Sequence, residues 1–488
     1  MARHPLPSSA LFEQAIRSWW SINQDGQLQV LLDQVPLSSL PQLDEHLRRV
    51  FWYGPPVLPV FTPDWMSRAG QKLLPGSPAM LCVLACHPNG HVREAAVLRL
   101  ADVNTPLSTG LLLVRLNDWV EPLRRQASII LLSRLRETEL LHWLLNFPLV
   151  TRLILDVRAP NLELYLEVLA LLDTPDGQRG FQEVFSSLEP AARLMLALQV
   201  LSTEGPPQAE VVKLFAQDTL PAVRLAALEH LPLGALTPFL ADPVAAVRAS
   251  SLRRLVPALG PEQALQVLSQ ALLDSREQVR LIAQFGLQQR GQEVRPLYLL
   301  HDPATLTDLR LQGWIAGLGT AGTAQDTALI RPFLHHPRTR VRLEVLHALG
   351  RLDARGSRSE LAAGMLASGP IYRVALRALK QSQQVDPALL NQLWTQADTL
   401  RLQRRVLPLA LELGRFGAAD LLLSWRETAG AEVATLIDQH LIDLLSGYGR
   451  THYTRPPAAL LNKLAATVQH LPRAEADRLQ AVLAELRG

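Results

Sequence analysis

Apolar residues recur three and four places apart through most of the chain, the spacing of one face of an α-helix. In the segment that shows it best, Val341, Val345 and Leu349 share a face with the small residue Ala348, and Leu346 lies on its flank. The predicted helix is therefore apolar over more than half of its circumference. A helix of that kind has to lie between neighbouring helices.

A short polar turn containing Asp or Pro precedes this helix, and the pair Val-Arg opens it. The same arrangement recurs with its arginine at Arg93, Arg124, Arg224, Arg248, Arg280 and Arg342. Where the pattern is clear the steps between these arginines are nearly equal, except that the step from Arg224 to Arg248 is short and the step from Arg280 to Arg342 spans two units. The unit inside that last step is disguised, because Leu311 holds the place of its arginine. Self-similarity at a nearly fixed period is the sequence signature of a solenoid.

These repeated residues resemble HEAT repeats, specifically the short bacterial kind found in phycobilisome lyase subunits and in many unrelated scaffold proteins. The resemblance is carried by the Asp-Pro turn, the Val-Arg pair and the ending Ala348-Leu349-Gly350. It implies an all-α fold, an α-solenoid (superhelix) of stacked helical hairpins with helical caps at both ends. It also implies that the second helix of each hairpin lines the concave side.

Three parts follow from where the repeat begins and ends. We predict an N-terminal helical cap at 1–79, a HEAT-like solenoid at 80–430 and a C-terminal helical cap at 431–488. The repeat is degenerate at about 140–215, where 156–158 and Ala191-Ala192-Arg193 are plausible altered units. The stretch from Phe51 to Trp65 has four prolines and five aromatic residues, which exclude a regular helix. We interpret it as an ordered cap loop, with an exposed docking strip as the alternative.

The six repeat arginines are interpreted as structural. A charged group at a recurring, half-buried place needs a partner, and the recurring turn aspartate can supply one from its own or the adjoining unit. The aspartate can also cap free backbone amides of the helix that follows. The alternative is a row of arginines that faces a ligand.

The positions one, five and nine places after the repeat arginine lie on the face that the helix seams leave open. Positive charge combined with an exposed aromatic residue is enriched at binding hot spots. The segment 331–415 adds to this, because it carries fourteen basic and six acidic residues, while the whole chain has a net charge of +3. The candidate interaction surface consists of Arg253, Phe285, His347, Arg351, Arg373 and Arg377.

Other motifs give no catalytic or cofactor assignment. The glycines of 317–322 match a dinucleotide fingerprint, but they follow a predicted helix where that fingerprint needs a strand. Cys82, Cys86, His87 and His91 do not have the spacing of a known zinc site. HEAT-type iron hydroxylases use His-Glu dipeptides as metal ligands, and this sequence has none. We therefore expect no cofactor, no metal and no enzymatic activity, with a lyase-type enzyme subunit or a HEAT-like DNA glycosylase as the enzymatic alternatives.

The expected partner is another protein with an acidic or mixed-charge segment. A nucleic acid bound through the same arginines is the alternative. No run of about 18 apolar residues occurs, and the N-terminus lacks the apolar core of a signal peptide. Cys82 and Cys86 lie one helical turn apart, where side chains rarely meet disulfide geometry. We expect a cytoplasmic protein without a membrane segment.

Overall fold

The structure, a computed structural model, describes residues 6–22, 26–53, 77–155, 161–202, 207–367, 369–383, 385–445, 456–469 and 473–487. All regular secondary structure in these residues is helical, and they contain no strand, which confirms the predicted all-α class. The loop predicted from Phe51 is wrong for its first three residues, because Phe51, Trp52 and Tyr53 precede the first proline and end the helix Leu40–Tyr53. Residues 54–65 of the proline-rich loop and the altered unit at 156–158 lie outside the described residues. The α-helices are α1 Ser9–Ile22, α2 Gly26–Asp33, α3 Leu40–Tyr53, α4 Pro78–Leu84, α5 Gly90–Leu100, α6 Pro106–Arg115, α7 Glu121–Ser133, α8 Leu140–Leu145, α9 Phe147–Val150, α10 Leu162–Asp173, α11 Pro175–Val184, α12 Pro190–Ser202, α13 Ala209–Ala216, α14 Pro221–Leu228, α15 Ala245–Leu255, α16 Pro261–Ala271, α17 Glu277–Gln288, α18 Val294–Leu299, α19 Asp308–Ala321, α20 Thr327–Ile330, α21 Thr339–Leu352, α22 Arg358–Leu366, α23 Pro370–Ser382, α24 Pro387–Gln396, α25 Leu400–Ala410, α26 Gly414–Thr428, α27 Ala431–Leu445, α28 Ala458–Val468 and α29 Arg473–Arg487.

The chain divides into two compact units, Met1–Phe239 and Leu240–Gly488, here called the N-unit and the C-unit. The division falls inside the predicted repeat region, within the short step between Arg224 and Arg248. The boundaries predicted at 79/80 and 430/431 stay predictions.

The C-unit is a stack of helical hairpins. The second helices α15, α17, α19, α21 and α23 pack side by side in chain order, and the first helices α16, α18, α20 and α22 each pack on the second helix that follows. Leu268, Leu287, Trp314, Val345 and Leu349 are fully buried in the seams and belong to one continuous apolar cluster. The period-3.6 pattern thus produces the solenoid arrangement expected from the sequence.

Small residues at the ends of the second helices set how closely these helices approach. A Cβ atom added at Gly319 would lie 2.8 Å from the Cβ of Ala348, and one added at Gly350 would lie 2.8 Å from the Cβ of Ala378. Atoms do not approach that closely, so both positions require glycine at this helix separation. The Ala-Leu-Gly ending of the repeat is therefore a packing feature.

The repeat arginines close the turns of their own hairpins. Each of the six donates a hydrogen bond from Nη1 to the backbone carbonyl six residues earlier, at 2.6–2.9 Å. That carbonyl lies in the turn before the second helix, where helical hydrogen bonding cannot satisfy it. The accepting carbonyls belong to His87, Asp118, Asp218, Asp242, Asp274 and His336.

Three arginines also join one hairpin to the next. Arg93 binds the carboxylate of Asp118 through Nε and Nη2, at 3.0 and 2.8 Å. Arg248 binds the carboxylate of Asp274 in the same way, with both distances 2.7 Å. Arg193 of the degenerate region reaches both oxygens of Asp218 through Nη1 at 2.8 Å. The degenerate region at about 140–215 therefore has the same arginine–aspartate bond between successive hairpins as the clear repeats.

The turn aspartate serves both hairpins at once. One carboxylate oxygen accepts the backbone amide two residues later, at 3.1 Å from Val120 to Asp118 and at 2.8 Å from Arg276 to Asp274. Its carbonyl oxygen holds the arginine of its own helix, and its carboxylate receives the arginine of the preceding hairpin. The carboxylate of Asp118 is fully buried, so its attraction to arginine is weakly screened.

Replacing Arg248 by Ala is expected to lower the free energy of unfolding by about 2 to 4 kcal/mol, because Asp274 then keeps a poorly solvated charge without its partner. Chemical denaturation measures the change. The matched control is Arg276→Ala, which removes an exposed arginine beside the same aspartate and should cost about 0.5 kcal/mol or less. Equal losses in the two variants would contradict a structural role for Arg248.

Candidate partner-binding surface

The six candidate surface residues all lie on second helices of the C-unit. Arg253 is on α15, Phe285 on α17, and His347 and Arg351 are on α21. Arg373 and Arg377 follow on α23 and are one helical turn apart. The five residues other than His347 are exposed, and the Phe285 side chain has 61% of its area accessible.

Three of these side chains form an electrostatic cluster across two neighbouring helices. Burial, followed by the positive charges of Arg351 and Arg377, lowers the pKa of His347 below its usual value. His347 is half-buried, and with its pKa below the usual value it is neutral near pH 7. Glu344 lies nearby, and burial raises the pKa of its carboxyl group against the opposing charges of Arg280 and Arg351.

Within the basic segment 331–415, several cations are ion-paired and the surface arginines are not. Arg331 binds Glu360 at 2.8 Å, Arg358 binds Asp386, and Lys380 binds Glu412 at 2.9 Å. By contrast, none of the described residues provides an ion-pair partner for Arg351, Arg373 or Arg377. Ion pairs within the fold neutralise part of the positive charge of the segment. The guanidinium groups of Arg351, Arg373 and Arg377 are free to bind carboxylates of a partner.

The open face is not uniform from helix to helix. Ala249, one place after Arg248, is buried, although the repeat register predicts an exposed position there. On α19 the corresponding places hold the buried Ala316 and the exposed Thr320, whose hydroxyl accepts a bond from Gln284 at 3.3 Å. The aromatic part of the surface on α17 and the cationic part on α21 and α23 are thus separated by an uncharged strip.

Further exposed arginines of the segment 331–415 lie outside the candidate set, among them Arg340, Arg355, Arg401 and Arg404. Arg401 and Arg404 are exposed on α25, and neither has an ion-pair partner in the described part of the chain. Arg405 of the same helix lies 4.8 Å from the ring centre of Tyr372 on α23, so the two helices are neighbours. The signal in the sequence was weak because the last repeat lacks the Val-Arg opening.

The glycine and cysteine motifs considered for cofactor or metal binding lie in the packed interior of the fold. The glycines of 317–322 begin inside α19, and Gly319 lies against Ala348. Cys82 and Cys86 are buried free thiols, and burial raises the pKa of Cys82 to about 12. His91 is exposed beside Glu94. The described residues contain no group of three or more His, Cys, Asp or Glu side chains that could hold a metal ion.

In the described part of the chain, every helix is too short or too polar to cross a lipid bilayer.

No family model and no curated protein matches the sequence. A structure of Kap95p with RanGDP is similar over 98% of this chain and 67% of that chain, at 11% identity and a TM-score of 0.27. An engineered protein is similar over 84% of this chain and 98% of its own, at 13% identity and a TM-score of 0.19. Scores this low carry no argument, so the HEAT-like assignment stays a prediction from the repeat residues.

The pH dependence of stability gives a test of the first repeat turn. His87 is buried, and its Nδ1 accepts the amide of Asn89 at 3.0 Å. Burial and then the charge of Arg93 lower the pKa of His87 to about 4. In the unfolded chain His87 has the ordinary histidine pKa of about 6.5, so it binds a proton at a higher pH than in the folded protein. The free energy of unfolding should therefore fall as the pH drops from 6.5 to 4, by about 3 kcal/mol in total.

Urea denaturation at several pH values between 7 and 4 measures this loss. A His87→Asn variant keeps an acceptor for the Asn89 amide but cannot take up the proton, so its stability should fall less over that range. A His91→Asn variant, altered at an exposed histidine, should behave like the unmodified protein. The assignment is wrong if the stability of His87→Asn falls as steeply as that of the unmodified protein.

Proposed function

We propose that this protein is a non-catalytic scaffold or adaptor that binds another protein on the open face of the second helices of the C-unit. The observation that carries the proposal is the exposed Phe285 on α17, whose ring is not needed for the packing of its own helix. On the same open face, Arg351, Arg373 and Arg377 have no ion-pair partner among the described residues. Free guanidinium groups can bind carboxylates with two hydrogen bonds each.

The apolar part of the same face supports a protein partner. Phe285 and Leu281 are one helical turn apart on α17, and both expose more than half of their area. An exposed aromatic ring loses hydration favourably only when a partner covers it. We therefore propose a partner that presents carboxylates to α21 and α23 and an apolar side chain to α17. We assign no catalytic residue and no cofactor to this surface.

A triple variant, Phe285→Ala with Arg373→Glu and Arg377→Glu, should stay folded and bind the partner at least about a hundredfold more weakly. The reason is that it removes the aromatic anchor and reverses the two charges that attract an acidic partner. Affinity purification of the tagged protein supplies the partner, and surface plasmon resonance measures association and dissociation.

The matched control reverses two exposed arginines of the N-unit, Arg125→Glu and Arg136→Glu, which changes the net charge by the same amount. This control should bind like the unmodified protein if the surface is specific. If the triple variant is folded and binds normally, the interaction lies elsewhere, and the aromatic stretch from Phe51 to Trp65 becomes the next surface to test.

Binding of an acidic partner should also take up a proton at His347. In the free protein the pKa of His347 is lowered by burial and by two arginines, and a docked carboxylate would offset that positive field and raise it. Affinity should therefore increase as the pH falls from 7.5 to 6. Calorimetry in buffers with different ionisation enthalpies measures the proton, and a His347→Gln variant should abolish the uptake.

A nucleic acid is the alternative partner, because the same unpaired arginines could bind phosphates. The response to salt distinguishes the two. Phosphate binding weakens linearly on a plot of log affinity against log salt, with a slope close to the number of phosphate contacts. A protein interface with an apolar centre should respond less, and Phe285→Ala should weaken it at every salt concentration.

A further inference from the structure

The N-unit contains a cleft of about 490 Å³ that is independent of the surface proposed above. Helix α3 contributes Pro41 and Arg48, and the turn after α6 contributes Trp119. Leu149 of α9 adds an apolar wall. The cleft thus combines the partly exposed guanidinium group of Arg48 and the exposed one of Arg152 with aromatic and aliphatic surfaces.

A charge network with one excess positive charge forms the inner wall of the cleft. Asp118 accepts from Arg93 and Arg115 at 2.8 Å, and Arg48 lies 3.5 Å from the same carboxylate. Asp44 pairs with Arg48 at 3.2 Å and with Arg115. Three arginines therefore share two aspartates. The inner residues of this network are nearly inaccessible to water, so water compensates the excess charge poorly.

Nearby groups do not cancel this excess. Burial raises the pKa of the Cys86 thiol, which keeps Cys86 neutral. Glu45 lines the outer part of the cleft, but its carboxylate is bound by Arg49.

Hydrogen bonding in the inner wall is also incomplete. Arg115 is 1% exposed, yet its Nε has no hydrogen-bond partner within the described structure. Asp44 Oδ1 is likewise buried without one. Both atoms are closed to solvent, so a ligand in the cleft does not reach them, and they show that the buried network is not fully hydrogen-bonded internally.

Trp119 departs from the repeat pattern at the mouth of the cleft. The residue after the turn Asp or His is Pro88, Thr219, Pro243, Ser275 or Pro337 in the other clear units, and only here is it aromatic. The indole is 64% exposed, and the Arg93 guanidinium lies 5.7 Å from its ring centre. The buried network thus contacts the indole, while more than half of its area faces solvent.

We propose that this cleft binds a carboxylate attached to an apolar or aromatic group, with the carboxylate at Arg48 and the apolar part against Trp119. A single negative charge neutralises the excess of the network, and the indole is covered by the attached group. A free carboxylic acid and the C-terminus of a polypeptide both carry this chemistry.

Calorimetric titration of the full-length protein tests the proposal with four probes. N-acetyl-phenylalanine should bind, whereas its neutral carboxamide and the cation phenethylamine should bind at least about tenfold more weakly. A short peptide that ends in phenylalanine with a free carboxylate distinguishes the sources. Binding of the peptide assigns the cleft to chain termini, and binding of the small acid alone assigns it to free carboxylic acids.

Two variants locate the binding. Arg48→Met leaves two arginines for two aspartates, and Trp119→Ala changes an exposed side chain that the fold does not need. Each should weaken N-acetyl-phenylalanine at least about tenfold, while Arg125→Met, at an exposed arginine outside the cleft, should not. Circular dichroism confirms folding, and Trp119→Ala remains informative if Arg48→Met unfolds. Equal binding of acid and carboxamide, tighter binding of the amine, or no binding by any probe would overturn the proposal.

Discussion

The bond between an arginine and the turn aspartate of the next hairpin is a directional constraint on the stacking, and it occurs at Arg93, Arg193 and Arg248. Apolar seams bring helices together without specifying an angle, because burial is non-directional. A carboxylate that binds a guanidinium at two points is directional, and Asp274 does so with Arg248 while it also holds the Arg276 amide of its own turn. One side chain thereby fixes the turn of one hairpin relative to the helix of another.

The unit in which Leu311 replaces the repeat arginine shows which function of the turn aspartate depends on its carboxylate. Where Leu311 replaces the repeat arginine and is buried, the turn of the next hairpin carries His336 in place of Asp. His336 keeps the two local functions, since its Nδ1 accepts the Arg338 amide at 3.2 Å and its carbonyl accepts from Arg342 at 2.6 Å. Only the carboxylate is missing. At this joint the aspartate and the arginine are thus absent together, so neither charge is buried alone there.

The sequence predicts which side chains are buried or exposed, because that follows from the helical period. It does not predict which side chains pair across different hairpins. The burial of Val345 and Leu349 and the exposure of Phe285 follow from helical register alone. The partner of an arginine does not, because the aspartate of its own turn and the aspartate of the next turn are equally plausible. The structure shows that the first supplies its carbonyl and the second its carboxylate, as Asp242 and Asp274 do for Arg248.

Register also fails where neighbouring helices decide the outcome. Ala249 has the register of an exposed position, but packing buries it. The cleft of the N-unit is a stronger case, since its network joins Arg48 of α3 to Asp118 in the turn after α6. Helix α3 lies outside the repeat and packs on α6. No periodicity relates these two elements, so nothing in the pattern could have placed their side chains together.

The candidate surface residues differ in how much free energy the fold loses by leaving them exposed to solvent. A solvated arginine without a partner costs the fold little, because water already satisfies its charge, and so Arg373 and Arg377 by themselves indicate little about function. An exposed Phe285 is different, since burying such a ring would stabilise the fold by about 1.5 to 3 kcal/mol. Its helix α17 already has a complete seam through Ala283 and Leu287, so the ring is not required for packing. Selection for stability alone does not account for an aromatic side chain at that place, which makes Phe285 the residue on which the interpretation of the surface depends most.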